Sequence, residues 1–152
     1  MTDQQEVAKT LLGEPELDRR RLFFSALLAR ELAPVGTALV VVGDAAIEAY
    51  TQGRYVSGGV DLVGPRERVA GVLRRWGFEN SGRLWEHEDW GISVDIVAGD
   101  YSGDLQRTRE IVTPFGGVRL AAVEDLLVRR LAAAKRLGTS SDVDLATLLA
   151  LG

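Results

Sequence analysis

Residues 39–63 read LVVVGDAAIEAYTQGRYVSGGVDLV. The segment 38–42 is small or β-branched apart from Leu39, which is typical of a buried strand. Gly43 interrupts this strand, and a short helical pattern follows over 44–50. A turn rich in glycine then leads to a second apolar strand at 60–63, which carries one acid, Asp61. The stretch therefore predicts a strand, a tight turn, a helix and a second strand in that order.

This order of elements favours a site where phosphates lie beside a metal ion. Glycine at position 43 lets backbone N–H groups approach an anion, and the helix N-terminus favours negative charge. Asp61 offers an oxygen ligand to a hard cation such as Mg²⁺. Asp44 also has a structural explanation, because aspartate is a favoured helix N-cap. Asp61 could likewise be a strand acid that simply pairs with an arginine.

The stretch resembles the signature of the nucleotidyltransferase fold, the superfamily of DNA polymerase β and of small bacterial nucleotidyltransferases of toxin–antitoxin systems. That signature has Gly-Gly or Gly-Ser, a helix, an Asp-apolar-Asp pair on the next strand and a third acid on a later strand. Gly43 matches the first glycine, and Asp61 with its apolar neighbours matches half of the acid pair. Asp95, in Ser-Val-Asp-Ile-Val, stands where the third acid would.

Two positions depart from this signature and make the acid motif degenerate. Asp44 replaces the second Gly or Ser, and Gly59 stands where the first acid belongs. Three interpretations follow. The protein binds a nucleotide or metal weakly without catalysis; or Asp44 supplies the missing carboxylate from across the cleft; or the chain is active with one metal ion and a low rate.

The resemblance implies metal-dependent transfer of a nucleoside monophosphate from a nucleoside triphosphate to an RNA or protein acceptor. It implies Mg²⁺ or Mn²⁺ as the cofactor, held by Asp61, Asp95 and, in the second interpretation, Asp44. Gly43 and Asp44 would lie against the nucleotide. It also implies an antitoxin or other operon partner. The alternative is a non-catalytic module on the same scaffold that binds a nucleotide or a protein partner.

The C-terminal third extends the resemblance. Residues 122–135 read AVEDLLVRRLAAAK and are similar to the Glu-Asp-Leu helix of the small bacterial nucleotidyltransferases. In those proteins a lysine near the end of this helix, and an aspartate that begins the next helix, belong to the site. Lys135 matches the lysine, which the resemblance makes a catalytic candidate. Asp142 and Asp144 match the aspartate equally well.

Other charged residues have alternative interpretations. Arg54, just before the acid strand, could meet a phosphate through charge-assisted hydrogen bonds or could pair with Glu48.

His87 stands among acids and is expected to be an exposed strand residue. The remaining arginines of the first long helix are expected on its solvated face: Arg19, Arg20, Arg21 and Arg30. The tryptophans are expected to pack in the core or in turns: Trp76, Trp85 and Trp90.

The whole chain predicts one α/β (α+β) domain of 152 residues. We expect a small mixed sheet centred on strands at 38–42, 60–63 and 92–97, with helices packed on it. Residues 1–35 form an N-terminal helical segment, and 121–152 form a C-terminal helical segment that ends in a short helix over 142–151. A short helix is expected at 105–110, and a hairpin around 114–117.

Composition narrows the function classes. Apolar residues make up 46% and charged residues 26%, as in ordinary globular proteins. The absence of cysteine excludes a disulfide framework or a thiolate zinc site, and no apolar run approaches a membrane span. With no secretion signal at its start, the chain is expected to be cytoplasmic. A net charge of −4 disfavours non-specific binding to nucleic acid.

Overall fold

The computed structural model describes residues 2–36 and 38–137; for residues 35, 130, 131 and 133–137 the description covers the backbone alone. Five helices and seven strands lie in these ranges. The helices are α1 (Asp3–Leu12), α2 (Leu17–Leu32), α3 (Gly43–Tyr50), α4 (Arg66–Arg75) and α5 (Val123–Leu137). The strands are β1 (Val40–Val42), β2 (Val60–Val63), β3 (Glu79–Ser81), β4 (Leu84–His87), β5 (Ile92–Ala98), β6 (Arg109–Thr113) and β7 (Gly116–Leu120). Single 3₁₀ turns occupy Ala33–Val35 and Leu105–Arg107.

The seven strands form one mixed sheet in the order β3-β4-β5-β2-β1-β7-β6. Strand β2 pairs with β1 in antiparallel and with β5 in parallel orientation. The parallel pairing requires a crossover, and α4 supplies it. The expected mixed sheet with these three strands at its centre is therefore confirmed. The expected hairpin is the β6–β7 pair, and the expected helix at 105–110 is only a 3₁₀ turn that runs into β6.

One face of the central strands builds the main core against α1, α2 and α4. Alternate strand residues point to this face, because side chains alternate along a strand. The buried residues of this layer include Val60, Leu62, Val94 and Ile96 from the strands and Leu11, Phe24, Leu28, Val69 and Leu73 from the helices. The opposite face carries the residues between them, among which are Asp61 and Asp95. The two acids therefore lie on the face of the sheet opposite α1, α2 and α4.

Local signals explain where the helices begin and end. Thr2 caps α1 in a capping box, in which its side chain accepts from the Gln5 N–H and Gln5 reaches back to the Thr2 N–H. Gly77 follows α4 with φ of +91°, a conformation that glycine adopts without strain. In the described ranges, no helix has both the length and the apolar character that crossing a membrane would require.

The structure corrects the expectation that Arg21 lies on a solvated face. Its side chain is buried, and it donates two hydrogen bonds of 2.8 Å to the buried carboxylate of Glu48 on α3. Arg20 is half-buried and donates to the carbonyl oxygens of Glu14 and Trp90. Arg19 and Arg30 are exposed as expected. A bidentate partner is what allows an arginine to be buried, and the sequence pattern of α2 does not reveal that partner.

His87 was expected to be exposed, and this is wrong. Its ring is buried and stacks on Trp90 with ring centroids 3.9 Å apart and planes 7° apart. Burial lowers the pKa of His87, so the uncharged ring is favoured in this apolar setting. The expectation that the tryptophans pack inside is confirmed, since Trp76, Trp85 and Trp90 are all buried.

Candidate nucleotide and metal site

The structure brings Asp61 and Asp95 together. They are direct partners in the parallel pairing of β2 with β5, so their side chains project from the same face of the sheet. Val42, the last residue of β1, is the antiparallel partner of Asp61. The two acids therefore lie beside the point where the chain leaves β1 and turns into α3. The structure thus brings the two predicted acids onto one face of the sheet, and their role as metal ligands stays a prediction.

Gly43 lies directly beside Asp61 at the start of α3. Its φ is +57°, which favours glycine, and a Cβ at this position would lie 3.1 Å from the Asp61 Oδ2 atom. The backbone N–H of Ala45, in the first turn of α3, donates to the Asp61 carboxylate. The positive end of α3 is thus directed at an acid of the site.

The charges around Asp61 oppose its ionisation. Burial raises its pKa, and the nearby carboxylates of Asp44 and Asp95 raise it further. The Ala45 N–H and the Arg83 guanidinium act in the opposite direction, but the net shift is upward. Asp44 is therefore close enough to Asp61 to act on it electrostatically. Three acids that repel one another in a partly buried place create a local demand for positive charge.

Asp95 meets part of this demand through Arg83, in the turn between β3 and β4. The Arg83 Nε atom lies 3.3 Å from the Asp95 Oδ2 atom, and the arginine side chain is 80% exposed. The other carboxylate oxygen, Oδ1 of Asp95, is buried and has no hydrogen-bond partner. A buried carboxylate oxygen without a partner is costly, and a bound cation would satisfy it.

Gly59 stands where the motif of the resemblance has its first acid, and the neighbouring strand leaves no space there for a side chain. A Cβ on Gly59 would lie 2.9 Å from the carbonyl oxygen and 3.2 Å from the Cβ of Ser93 on β5. The Ser57 hydroxyl donates to the Gly59 carbonyl at 2.7 Å and accepts from the Gly59 N–H at 3.2 Å. The backbone is therefore adapted to glycine here. Since Ser93 precedes Asp95 by two residues, its hydroxyl shares the face of the acids.

These residues fit one divalent ion better than a pair of ions held by three carboxylates. Across residues 2–36 and 38–137, no three acidic, histidine or cysteine side chains converge closely enough to hold a metal. Mg²⁺, however, is usually bound by one or two carboxylates, with substrate phosphates and water completing its octahedron. Asp61 and the unpartnered oxygen of Asp95 suffice for that arrangement.

Arg54 does not pair with Glu48. Glu48 is buried in the ion pair with Arg21, and its Oε2 atom also accepts a hydrogen bond of 2.7 Å from the Ser57 N–H. Arg54 is exposed in the turn between α3 and β2. Its role as a phosphate ligand stays a prediction. The Arg21–Glu48 pair instead holds the loop that leads into the acid strand.

The side chains of the C-terminal candidates lie outside the described part of the chain. Lys135 belongs to α5, but its side chain is outside the described part of the chain, as are Asp142, Asp144 and the helix expected at 142–151. The first turns of α5 do approach Gly43. A cavity of about 120 Å³ lies between them, and its wall includes Tyr101 and Asp125. The Tyr101 hydroxyl donates to Asp125 at 2.5 Å and accepts from the Ala122 N–H at 3.2 Å.

Sequence reasoning missed Arg83 and Ser93. Ser93 could have been found, because the alternation that places Asp95 on one face of its strand places Ser93 there too. Arg83 could not, because its approach to Asp95 depends on the register in which Leu84 of β4 opposes Asp95 of β5. That register is set by the hairpin as a whole.

The fold is shared with solved proteins of known class. A crystal structure of an antigenic nucleotidyltransferase-like protein from Paracoccidioides brasiliensis is similar, with a TM-score of 0.64 over 90% of this chain and 77% of that one, at 18% identity. The fold is nucleotidyltransferase-like. ANT(2")-Ia, solved in complex with adenylyl-2"-tobramycin, has the nucleotidyltransferase-like fold as well, with a TM-score of 0.59 over 83% of this chain and 86% of that one, at 16% identity. No protein-family model matches the chain, and no curated protein matches its sequence.

Proposed function

We propose that this protein binds a nucleoside triphosphate with one Mg²⁺ or Mn²⁺ ion at Gly43, Asp61 and Asp95. It then transfers the nucleoside monophosphate to an acceptor oxygen, and the bond between the α- and β-phosphates breaks to release pyrophosphate. The observation that carries this proposal is the pairing of Asp61 with Asp95 in register, beside a glycine turn that opens a helix. The nucleotidyltransferase-like fold supports it.

In this proposal the two acids bind the metal ion, and Gly43 leaves space for the triphosphate. Asp61 and Asp95 hold the ion from two adjacent strands, whose ladder fixes their spacing. Gly43, without a side chain, lets the triphosphate approach the backbone at the start of α3. Bound there, a divalent ion supplies positive charge against the negative charge of the transferring phosphoryl group. The protein then contributes mainly by aligning the acceptor oxygen with the α-phosphorus.

A second candidate function is nucleotide binding without transfer. The contact between Gly59 and Ser93 favours it, because the strand has no room for the first motif acid without a shift of the backbone. The acceptor is an RNA or a protein in our proposal, with an antitoxin or other operon partner as the protein candidate. The neighbour ANT(2")-Ia holds an adenylylated small molecule, so an aminoglycoside belongs in the test.

The test begins with thermal unfolding of the full chain in Mn²⁺ or Mg²⁺ with each nucleoside triphosphate. A ligand at about a hundred times its Kd should raise the Tm by about 5 °C or more. Transfer of an α-labelled triphosphate is then followed on a transfer RNA pool, on the protein itself and on tobramycin. Asp61→Asn/Asp95→Asn is the matched control. A Tm shift without transfer supports the second candidate, and no shift with any triphosphate contradicts both.

Asp44 is the candidate for the missing carboxylate. It would have to supply this group by moving closer when a metal binds, since it does not converge with Asp61 and Asp95 in the described structure. Its charge acts on Asp61, which motivates the hypothesis. Asp44→Asn keeps the shape of the side chain and its ability to accept a hydrogen bond, while Asp44→Ala removes both. If the charge is a ligand, both variants should abolish metal-dependent triphosphate binding in calorimetry. Unchanged Mg²⁺ or Mn²⁺ affinity in Asp44→Ala would contradict the hypothesis.

A further inference from the structure

Arg83 lies at the tip of the β3–β4 hairpin and faces the acids. Its charge acts on both of them, since it contacts Asp95 and lowers the pKa of Asp61 against the larger upward influences. Gly82, before it, has φ of +60°, and a Cβ there would meet no atom within 4 Å. Residues 81–83 at the hairpin tip are exposed, and from there the Arg83 side chain reaches Asp95.

The contact of Arg83 with Asp95 is loose in comparison with a structural ion pair of the same chain. Arg21 and Glu48 are both buried and share two hydrogen bonds of 2.8 Å. Arg83 makes one contact of 3.3 Å through Nε, and its side chain is 80% exposed. The Arg83 side chain is already largely solvated, so leaving the pair costs the guanidinium little, provided that another cation takes over the charge of the largely buried Asp95.

We propose that Arg83 is an exchangeable counterion of the site: it neutralises Asp95 in the free protein, gives way to a divalent ion, and then binds the phosphate oxygens of the nucleotide. This inference rests on the proposed function. A divalent ion and a guanidinium compete for the same carboxylate charge. Once the ion holds Asp61 and Asp95, the freed guanidinium lies within reach of the triphosphate, whose oxygens suit its planar set of donors.

The exchange predicts effects of opposite sign in one variant. Arg83→Ala removes the competing cation, so the protein without nucleotide should bind Mn²⁺ about two- to fivefold more tightly. The same variant loses a phosphate donor, so the Mn²⁺-loaded protein should bind a nucleoside triphosphate about tenfold more weakly. A residue that only stabilised the hairpin would not strengthen metal binding.

Two titrations of the full chain measure these effects. Free Mn²⁺ is followed by electron paramagnetic resonance, and ATP, GTP, CTP and UTP are titrated into Mn²⁺-loaded protein by calorimetry. Arg107→Ala is the matched control. Arg107 is also an exposed arginine in an ion pair: its Nε atom lies 3.7 Å from the Asp104 carboxylate, and the pair includes neither Asp61 nor Asp95. It should change neither constant. Arg83→Lys should keep wild-type Mn²⁺ affinity and lose part of the triphosphate affinity.

The outcomes separate this inference from the proposed function. Tighter Mn²⁺ binding together with weaker triphosphate binding in Arg83→Ala supports the exchange. Unchanged or weaker Mn²⁺ binding overturns it, and so does unchanged triphosphate affinity. Wild-type protein that binds Mn²⁺ but none of the four triphosphates overturns the proposed function, and the phosphate role of Arg83 with it. Circular dichroism melting checks that Arg83→Ala is folded, which its exposure leads us to expect.

Discussion

The α-carbon of Gly59 packs so closely on Ser93 that an added Cβ would lie 2.9 Å from the Ser93 carbonyl oxygen. Glycine is thus built into the β2–β5 pairing at the place of the first motif acid. Simple replacement of that residue does not rebuild the family site, because the neighbouring strand occupies the space a side chain would need.

Gly59→Ala should therefore lower the free energy of unfolding by about 1–3 kcal/mol, the usual cost of overpacking. Gly58→Ala is the control, because a Cβ on Gly58 meets nothing within 4 Å. Urea unfolding of both variants measures the difference. Gly59→Asp should be destabilised as well and should show no more transferase activity than the wild type. Equal stability of the two alanine variants would show that Ser93 yields easily.

Asp61→Asn should stabilise the protein at neutral pH in the absence of metal. Burial and the charges of Asp44 and Asp95 raise the pKa of Asp61 above its ordinary 3.8, so the folded chain holds this proton more tightly than the unfolded chain. Ionised Asp61 therefore costs stability above its folded pKa, and that cost disappears as the pH falls below 3.8. The variant's advantage should be full at about pH 7 and shrink towards about pH 3.

Urea midpoints across this pH range measure the effect on Asp61→Asn. The exposed loop residue Asp100 offers the same substitution away from the acids, and Asp100→Asn should leave the midpoints nearly unchanged at every pH. An advantage of Asp61→Asn that did not depend on pH would mean that the charge of Asp61 is not its cause.

Arg21→Met should be strongly destabilising, because it leaves the buried carboxylate of Glu48 without its arginine. Removing one partner of such a pair costs about 3–5 kcal/mol. Arg21→Met/Glu48→Leu should recover much of that loss, since no buried charge remains. Chemical denaturation measures both. Arg19→Met on the same helix is the control: Arg19 is exposed and pairs with Glu14 at 3.5 Å, so its loss should cost less than about 1 kcal/mol.

Tyr101→Phe should remove a tyrosine that ionises late as alkali is added. Burial, with the hydrogen bond to Asp125, raises the pKa of Tyr101 to about 12. The unfolded chain ionises near the ordinary value of 10, so this group's contribution to stability is present below that pH and is lost as the pH rises towards 12. Tyrosinate absorbance of the folded protein should lose the component that titrates at about pH 12 in Tyr101→Phe and keep it in Tyr55→Phe.

The sequence was sufficient for the central strands and for the acids, and insufficient for their surroundings. Apolar runs around Gly43, Asp61 and Asp95 identify three strands, because the alternation of apolar and polar residues and the content of β-branched residues can be seen in the sequence alone. The partner of a buried charge does not show in such patterns. The local sequence does not distinguish the buried Arg21 from the exposed Arg19. Only the packing of α2 on α3 brings Arg21 to Glu48.

The burial of His87 was also not predictable from its sequence neighbours. Its acidic sequence neighbours suggested exposure, yet Glu86 and Glu88 are exposed while His87 is buried beside Trp90. A strand alternates between solvent and core at every residue, so the polarity of adjacent residues says little about the one between them. The ring of Trp90, which arrives from the following turn, decides the environment of His87.

The pairing of β2 with β5 has a consequence for the ion that the proposed site would accept. Adjacent strands are held about 4.8 Å apart by their backbone hydrogen bonds, and this pair sits inside a seven-stranded sheet rather than at its border. Asp61 and Asp95 can adjust their rotamers, but the distance between their anchoring points is set by the ladder. Mg²⁺ and Ca²⁺ differ in radius and in tolerance of irregular coordination. In the proposed site, the ladder therefore limits how far the two carboxylates can adapt to ions of different radius.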